Sequence, residues 1–226
     1  MIMKGVYFDW DGTLVDSLPL LYASHNHVRV TMGLHPWTRE EYMQAMVHST
    51  RELYPTIYGN RAQEAQDMLY QFISDNHLQQ LSLIDGAKDV LDMLQGAGIP
   101  MGLVSNKRND ILRREVEHLG WQGYFGVYNG AGVASADKPS GAPLLYALSQ
   151  DARGLKISDI IYVGDTESDL SCAADAGCPV VFIRGHAPKA DELIAKYKPA
   201  YIVHNLMELQ EILQEFLGLA KEKKAC

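Results

Sequence analysis

Short apolar runs alternate with amphipathic stretches along most of the chain from residue 85 onward. The amphipathic stretches repeat hydrophobic residues every three or four positions, which is typical of helices, and the apolar runs between them are typical of buried strands. This alternation predicts an α/β fold in which helices cover a doubly wound parallel sheet. The predicted strands are VYFDWD (6–11), MGLVS (101–105), YFGVYN (124–129), DIIYVGD (159–165), PVVFIRG (179–185) and AYIVH (200–204).

Residues 17–84 lack this alternation and show helical periodicity instead. The two helical faces consist of Leu18, Leu21, His25, Val28 and Met32, and of Ala65, Met68, Leu69, Phe72 and Ile73. Because an ordinary connection between a strand and a helix has about 2–6 residues, we interpret 17–84 as an all-helical cap subdomain inserted after the first strand. The α/β catalytic core would then consist of residues 1–16 and 85–226, with hinges near 15–18 and 84–86.

Composition and charge narrow the class of protein. The chain has 226 residues, 47% of them hydrophobic, which is enough for one core and a smaller lobe. Its formal net charge of −8 would repel nucleic acid and anionic membranes, so we expect neither as a partner. No stretch approaches the roughly 20 apolar residues of a membrane span. Cys172, Cys178 and Cys226 are odd in number and lack CxxC spacing, which favours a soluble protein of the reducing cytoplasm.

Polar residues follow several of the predicted strands, at the point where each strand ends. They are Asp9 and Asp11 after the first strand, Ser105 and Lys138 near the next ones, and Asp165, Glu167 and Asp169 in GDTESD. In an open parallel sheet the ligand site lies beyond the carboxyl ends of the strands, so these side chains should converge. A group of carboxylates without histidine or cysteine suits Mg²⁺, which would take a phosphate as a further ligand.

The motifs DWDGT, Ser105, Lys138-Pro139 and GDTESD, in this order, resemble the four motifs of the haloacid dehalogenase superfamily, and the resemblance covers nearly the whole chain. The helical insertion directly after the first motif resembles the branch that contains phosphoglycolate phosphatases, β-phosphoglucomutases, phosphonatases and dehalogenases. SNK (105–107) is also similar to phosphoglycolate phosphatase relatives. One departure is KPSGAP, because a second proline often follows the Lys-Pro pair at a shorter interval.

The resemblance implies a role for each motif residue in phosphoryl transfer. Asp9 would attack phosphorus and form an aspartyl-phosphate, and Asp11 would act as the general acid and base. Ser105 and Lys138 would donate to the phosphoryl oxygens. The residues implied to hold Mg²⁺ are Asp9, the backbone carbonyl of Asp11, Asp165 and Asp169, the last either on the ion or beside its ligands. A charge that complements the dipole at a helix N-terminus is the alternative for Asp169.

Four further residues are candidates for contact with the substrate. Gly12 would let the backbone approach the phosphate, Thr13 would orient the loop, and Asn106 follows the motif serine. Arg51, in the predicted cap, could grip an anionic end of the substrate, since a guanidinium matches a carboxylate through two parallel hydrogen bonds. A surface arginine on a helix is the alternative for Arg51.

The residues also separate the reactions of the superfamily. Asp11 and GDTESD oppose a dehalogenase, and the absence of any lysine between Lys4 and Lys88 opposes a phosphonatase. Thr13 favours a phosphatase over a β-phosphoglucomutase, which stays an alternative. A phospho-accepting receiver module and a catalytically silent relative are the alternatives that are not enzymes. We therefore predict a Mg²⁺-dependent phosphatase of a small phosphorylated, phosphoglycolate-like metabolite, acting as a monomer or homodimer.

Overall fold

The computed structural model describes residues 4–46, 50–185 and 189–216, and for residues 51 and 52 it describes the backbone alone. The strands are β1 Gly5–Phe8, β2 Val15–Asp16, β3 Ser82–Leu83, β4 Met101–Arg108, β5 Val127–Ala131, β6 Ile160–Gly164, β7 Val180–Ile183 and β8 Tyr201–Val203. The α-helices are α1 Leu18–Thr31, α2 Arg39–Ala45, α3 Thr50–Tyr58, α4 Ala62–Asn76, α5 Ala87–Gly96, α6 Asn109–His118, α7 Ala142–Gln150, α8 Glu167–Ala176, α9 Ala190–Tyr197 and α10 Leu206–Phe216.

The six longer strands form one parallel sheet in the order β5-β4-β1-β6-β7-β8. β1 is central, with Phe8 opposite Leu103 of β4 and Val163 of β6. This arrangement confirms the predicted α/β fold and its six strands. The bounds differ slightly, because β5 begins at Val127 and β4 continues to Arg108.

The central strands are apolar along their length because both faces of the sheet are covered. Every residue of β1 and β6 is buried, as expected for a parallel sheet with helices on both sides. On one face the buried cluster draws side chains from the sheet and from α7, α8 and α9. Its largest members are Tyr7, Leu144, Leu148, Tyr162, Leu170 and Phe182.

The chain divides into two compact units, Met1–Asp16 with Leu83–Cys226 and Ser17–Ser82. The short strands β2 and β3 pair with each other at the residues where the chain passes from one unit to the other. The roles of the two units as catalytic core and cap stay predictions. Within the described ranges, no helix combines the length and the apolar character that a bilayer span requires.

The unit Ser17–Ser82 has its own small apolar core, in which α4 packs against α1 and α3. The buried members of this core are Val28, Tyr54, Tyr58, Ala65 and Leu69. In α1 the buried residues are Leu20, Ser24, His25 and Val28, whereas Leu18 and Leu21 of the predicted face are only half-buried. Helix α1 confirms the predicted helical periodicity, although its buried face is shifted toward Leu20 and Ser24 at the N-terminal end. Apolar spacing overlooks Ser24, which can be buried because its hydroxyl donates to the Leu21 carbonyl.

Candidate active site

Three aspartates converge at the carboxyl ends of β1 and β6. Asp9 follows β1 and Asp165 follows β6, and the two strands are parallel neighbours. The backbone N–H of Asp9 donates to the carbonyl of Val163 at 2.9 Å, which fixes the loop start. One carboxylate oxygen from each of Asp9, Asp165 and Asp169 lies within 4.8 Å of the others. An oxygen-only donor set of this kind fits a hard divalent cation.

The pKa values of Asp9 and Asp165 are raised because these carboxyls are buried close to other carboxylates. Burial, and then the neighbouring Asp169 carboxylate, raises the pKa of Asp9 to about 7, although Lys138 opposes the shift. Burial, Asp169 and Asp9 likewise raise the pKa of Asp165 well above its ordinary value. Ionised carboxylates at such short range require positive charge beside them. The three aspartates therefore suit both a metal cation and the ammonium of Lys138.

Lys138 lies between two of the three aspartates. Its ammonium donates to Asp9 Oδ1 at 2.7 Å, to Asp169 Oδ1 at 2.6 Å and to the Tyr162 hydroxyl at 3.1 Å, and its side chain is 3% exposed. Burial lowers the pKa of Lys138, but Asp169 and Asp9 outweigh it and the net direction is upward. When all three carboxylates are ionised, Lys138 balances one, and the remaining two negative charges match a divalent cation.

Asp169 caps α8 and also contacts Lys138, and its place on or beside a metal ion stays a prediction. It occupies the N3 position of the capping box that begins α8. Its Oδ2 accepts from the Thr166 backbone N–H at 2.9 Å and from the Thr166 hydroxyl at 2.6 Å. Its Oδ1 binds Lys138. Burial would raise the pKa of Asp169, but Lys138 and Thr166 lower it overall. The capping box of α8 thus orients the Asp169 carboxylate that binds Lys138.

The loop after β1 is shaped around Asp165. The Thr13 hydroxyl donates to Asp165 Oδ1 at 2.9 Å and so orients that carboxylate. Gly12 has a φ of +81°, and a Cβ at this position would overlap the Asp165 carboxylate. Only glycine meets both conditions without strain. The predicted contacts of Gly12 and Thr13 with a substrate stay predictions.

Ser105 and Asn106 lie in the second half of β4, and their side chains form hydrogen bonds with the backbone of Lys107 and Lys138. The Asn106 amide donates to the Lys138 carbonyl at 2.8 Å and accepts from the Lys138 N–H at 3.0 Å. Ser105 is buried, and its hydroxyl accepts from the Lys107 N–H at 3.2 Å. Asn106 therefore holds the lysine loop in place, and the substrate contacts of both residues stay predictions.

The structure adds a second buried lysine that the sequence analysis did not single out. Lys107 donates to Asp11 Oδ1 at 2.7 Å and to both oxygens of Glu115, at 2.8 and 3.1 Å. Glu115 also accepts from the Trp10 indole N–H at 2.6 Å. Burial lowers the pKa of Lys107, but Asp11 and Glu115 raise it by more. One signal could have identified Glu115, because its spacing places a charged residue between Leu112 and Val116 on the apolar face of α6.

Two residues of the predicted cap, Arg51 and His25, have different outcomes. The side chain of Arg51 lies outside the described part of the structure, so its contact with a substrate stays a prediction. His25 is buried beside Tyr54, whose hydroxyl lies 3.1 Å from Nδ1, and burial lowers the pKa of His25 to about 4. A neutral histidine of this kind belongs to the core of the helical unit.

Comparison with known proteins identifies the relatives of this chain. Residues 6–183 match the family model of haloacid dehalogenase-like hydrolases. A phosphoglycolate phosphatase of Xanthomonas campestris pv. campestris is 31% identical over 182 residues, 79% of this chain and 81% of the relative. One from Chromobacterium violaceum is 29% identical over 190 residues, 80% of this chain and 85% of the relative. The crystal structure of a predicted phosphoglycolate phosphatase from Haemophilus somnus is 23% identical, with a TM-score of 0.81, covering 95% of this chain and 99% of that one.

The match to the family model extends over more than half of the chain. The protein is therefore a hydrolase of the α/β class with an inserted helical unit. It belongs to the haloacid dehalogenase-like hydrolase family.

Proposed function

We propose that the protein is a phosphatase that hydrolyses a small phosphorylated metabolite, of the phosphoglycolate kind, through a covalent aspartyl-phosphate on Asp9. One observation carries this proposal. Asp9, Asp165 and Asp169 converge around the buried ammonium of Lys138, so that a nucleophile, a cation site and a phosphate-binding charge share one place. The names of the relatives from Xanthomonas and Chromobacterium support the substrate class.

Asp9 is the nucleophile of the proposed first step. A carboxylate oxygen of Asp9 forms a bond to phosphorus while the bond from phosphorus to the ester oxygen breaks. Lys138 keeps Asp9 in place through Oδ1 and donates to the charge that develops on the phosphoryl oxygens. The product of this step is an aspartyl-phosphate and an alcohol.

Asp11 would move the proton in both steps. Its side chain is 29% exposed, so that a substrate oxygen or a water molecule can reach it. In the first step Asp11 gives a proton to the departing alcohol oxygen, and in the second it takes a proton from the water that attacks phosphorus. Asp9 is then regenerated and inorganic phosphate leaves.

The donor set of the three aspartates fits Mg²⁺, which Asp9, Asp165 and Asp169 would hold. Bound there, the ion would neutralise phosphoryl charge beside Lys138. Thr13 keeps Asp165 oriented toward the cluster, and Thr166 does the same for Asp169. The state of assembly, monomer or homodimer, and the cytoplasmic location stay predictions.

The test is release of inorganic phosphate by the purified protein with Mg²⁺. The panel holds phosphoglycolate, hexose phosphates, glycerol phosphate, pyrophosphate and mononucleotides, beside an Asp9→Asn variant shown to be folded by circular dichroism. We expect release from one or a few compounds, lost on chelation and lowered by about 10⁴-fold or more in the variant. No release from any compound would refute the phosphatase, and β-glucose 1-phosphate isomerisation would then favour the mutase alternative.

A further inference from the structure

The charged cluster formed by Trp10, Asp11, Lys107 and Glu115 shares no side chain with the cluster of Asp9, Asp165 and Asp169. Its members come from the loop after β1, from β4 and from α6. Resting on the function proposed above, we infer that Lys107 is a positioning residue for Asp11. It fixes the proton-transferring carboxyl in the orientation that serves the leaving group.

The first support is that the Lys107 ammonium is itself held by buried side chains. Glu115 binds the ammonium through both of its oxygens and is fully buried in α6. The Trp10 indole, also fully buried, donates to Glu115 at 2.6 Å. A lysine side chain loses much rotamer freedom on burial, and these contacts compensate for that loss. The Lys107 ammonium is therefore held in one position beside Asp11.

The second support is the geometry of the contact with Asp11. Lys107 contacts Oδ1 at 2.7 Å, and the contact uses one of the two carboxyl oxygens. Among the described residues no side chain donates a hydrogen bond to Oδ2, which would serve the proton and the oxygen of the departing alcohol. Lys107 is 9% exposed in its side chain whereas Asp11 is 29% exposed, so the lysine holds Asp11 from the protein side. Small displacements of a reacting group can cost about 100-fold in rate.

The third support is that the cluster has no other evident use. A buried lysine between two carboxylates adds little net stability, since the cost of removing charges from water offsets their attraction. Lys107 also lies near the end of β4, two residues after Ser105, within the segment that holds the Lys138 loop through Asn106. A charged group in this place is better explained by the position that it gives to Asp11.

The test compares esters whose leaving groups differ in their need for a proton. The nitrophenolate of p-nitrophenyl phosphate leaves without one, whereas the alkoxide of phosphoglycolate, or of the best alkyl phosphate in the panel, requires one. The quantity measured is kcat/KM, which reports the step that forms the aspartyl-phosphate. For Lys107→Met we expect a loss of about 100-fold with the alkyl ester and no more than about threefold with the aryl ester.

Three further variants keep the result interpretable. Lys107→Met combined with Glu115→Gln removes both buried charges, so that a folded protein is retained, and should show the same selective loss. Lys107→Arg keeps a cation beside Asp11 and should restore part of the alkyl activity. Lys88→Met removes an exposed lysine paired with Asp92 and should change neither ester.

Equal losses on the two esters, or no loss, would overturn the positioning role while the wild-type activity upheld the phosphatase. A wild-type protein that cleaves neither ester would overturn the proposed function and the inference with it. A change in the ratio of the two losses is a readout that a purely structural role of Lys107 would not produce, because loss of folded protein lowers both activities equally.

Discussion

Two buried lysines, Lys138 and Lys107, each lie between two carboxylates, and the comparison between them separates two kinds of charged cluster. Lys138 binds Asp9 and Asp169 and has a third aspartate, Asp165, beside the same oxygens. Lys107 binds Asp11 and Glu115, and an indole completes that cluster. With all carboxylates ionised, the first cluster has two negative charges beyond its lysine, whereas the second has one.

Under the proposed function, this difference assigns the phosphate to one cluster and the proton to the other. Excess carboxylate charge can be satisfied by a cation, and a cation beside an ammonium attracts the phosphoryl group of a substrate. The second cluster has a smaller negative excess, and its lysine contacts Asp11 through one oxygen, so it can hold that carboxyl in a fixed place. We therefore assign charge stabilisation to the Lys138 cluster and orientation to the Lys107 cluster.

The largest expected effect is that of Lys138→Met. It removes the proposed donor to the phosphoryl oxygens, which every phosphomonoester has, so kcat/KM should fall by roughly 10²- to 10³-fold for alkyl and aryl esters alike. The measurement is steady-state hydrolysis of p-nitrophenyl phosphate and of the best alkyl ester, with Lys88→Met as the control. A loss confined to the alkyl ester would erase the distinction between the two lysines.

The second effect concerns the metal. Asp165→Asn removes a ligand from the cluster with the larger negative excess, so the Mg²⁺ concentration for half-maximal activity should rise by roughly 10- to 100-fold. Glu115→Gln changes a carboxylate of the other cluster and should leave the Mg²⁺ requirement unaltered. Titration of activity with Mg²⁺, together with the shift of Tm on Mg²⁺ addition, measures both. Equal shifts in the two variants would show that the clusters act as one.

The smallest effect is that of Trp10→Phe on stability. The variant deprives the buried Glu115 of the indole N–H, and we expect the free energy of unfolding to fall by about 1–3 kcal/mol. Urea unfolding followed by circular dichroism gives the value. Trp121→Phe is the matched control, because Trp121 packs edge-on against Trp10 and the substitution leaves the bond to Glu115 in place. A larger loss in the control would mean that packing, not the hydrogen bond, dominates at Trp10.

Most of the sheet and half of the site could be predicted from local patterns. Strands such as Ile160–Gly164 are short and wholly apolar, and parallel pairing brings their carboxyl ends together, so Asp9 and Asp165 were expected at one edge. The helical unit was harder, since Ser24 is buried in α1 through a hydrogen bond that apolar spacing does not register.

The Lys107 cluster shows what the sequence leaves open, because helical spacing can mark Glu115 as buried but does not say what it contacts. Glu115 lies 104 residues from Asp11 along the chain, and a charged residue on an amphipathic helix is ordinarily exposed. Its meaning depends on what α6 packs against, which is a property of the tertiary fold. A lysine at a strand end is equally uninformative until the strand and helix that face it are known.

The central claim is that Asp9 becomes covalently phosphorylated during turnover. The most direct measurement is to quench the protein with acid during hydrolysis of the best substrate, digest it, and weigh the peptides. The account predicts the mass of one phosphoryl group on the peptide that contains Asp9, absent in Asp9→Asn and absent without Mg²⁺. Phosphate on another residue, or steady turnover with no phosphorylated peptide at early quench times, would contradict it.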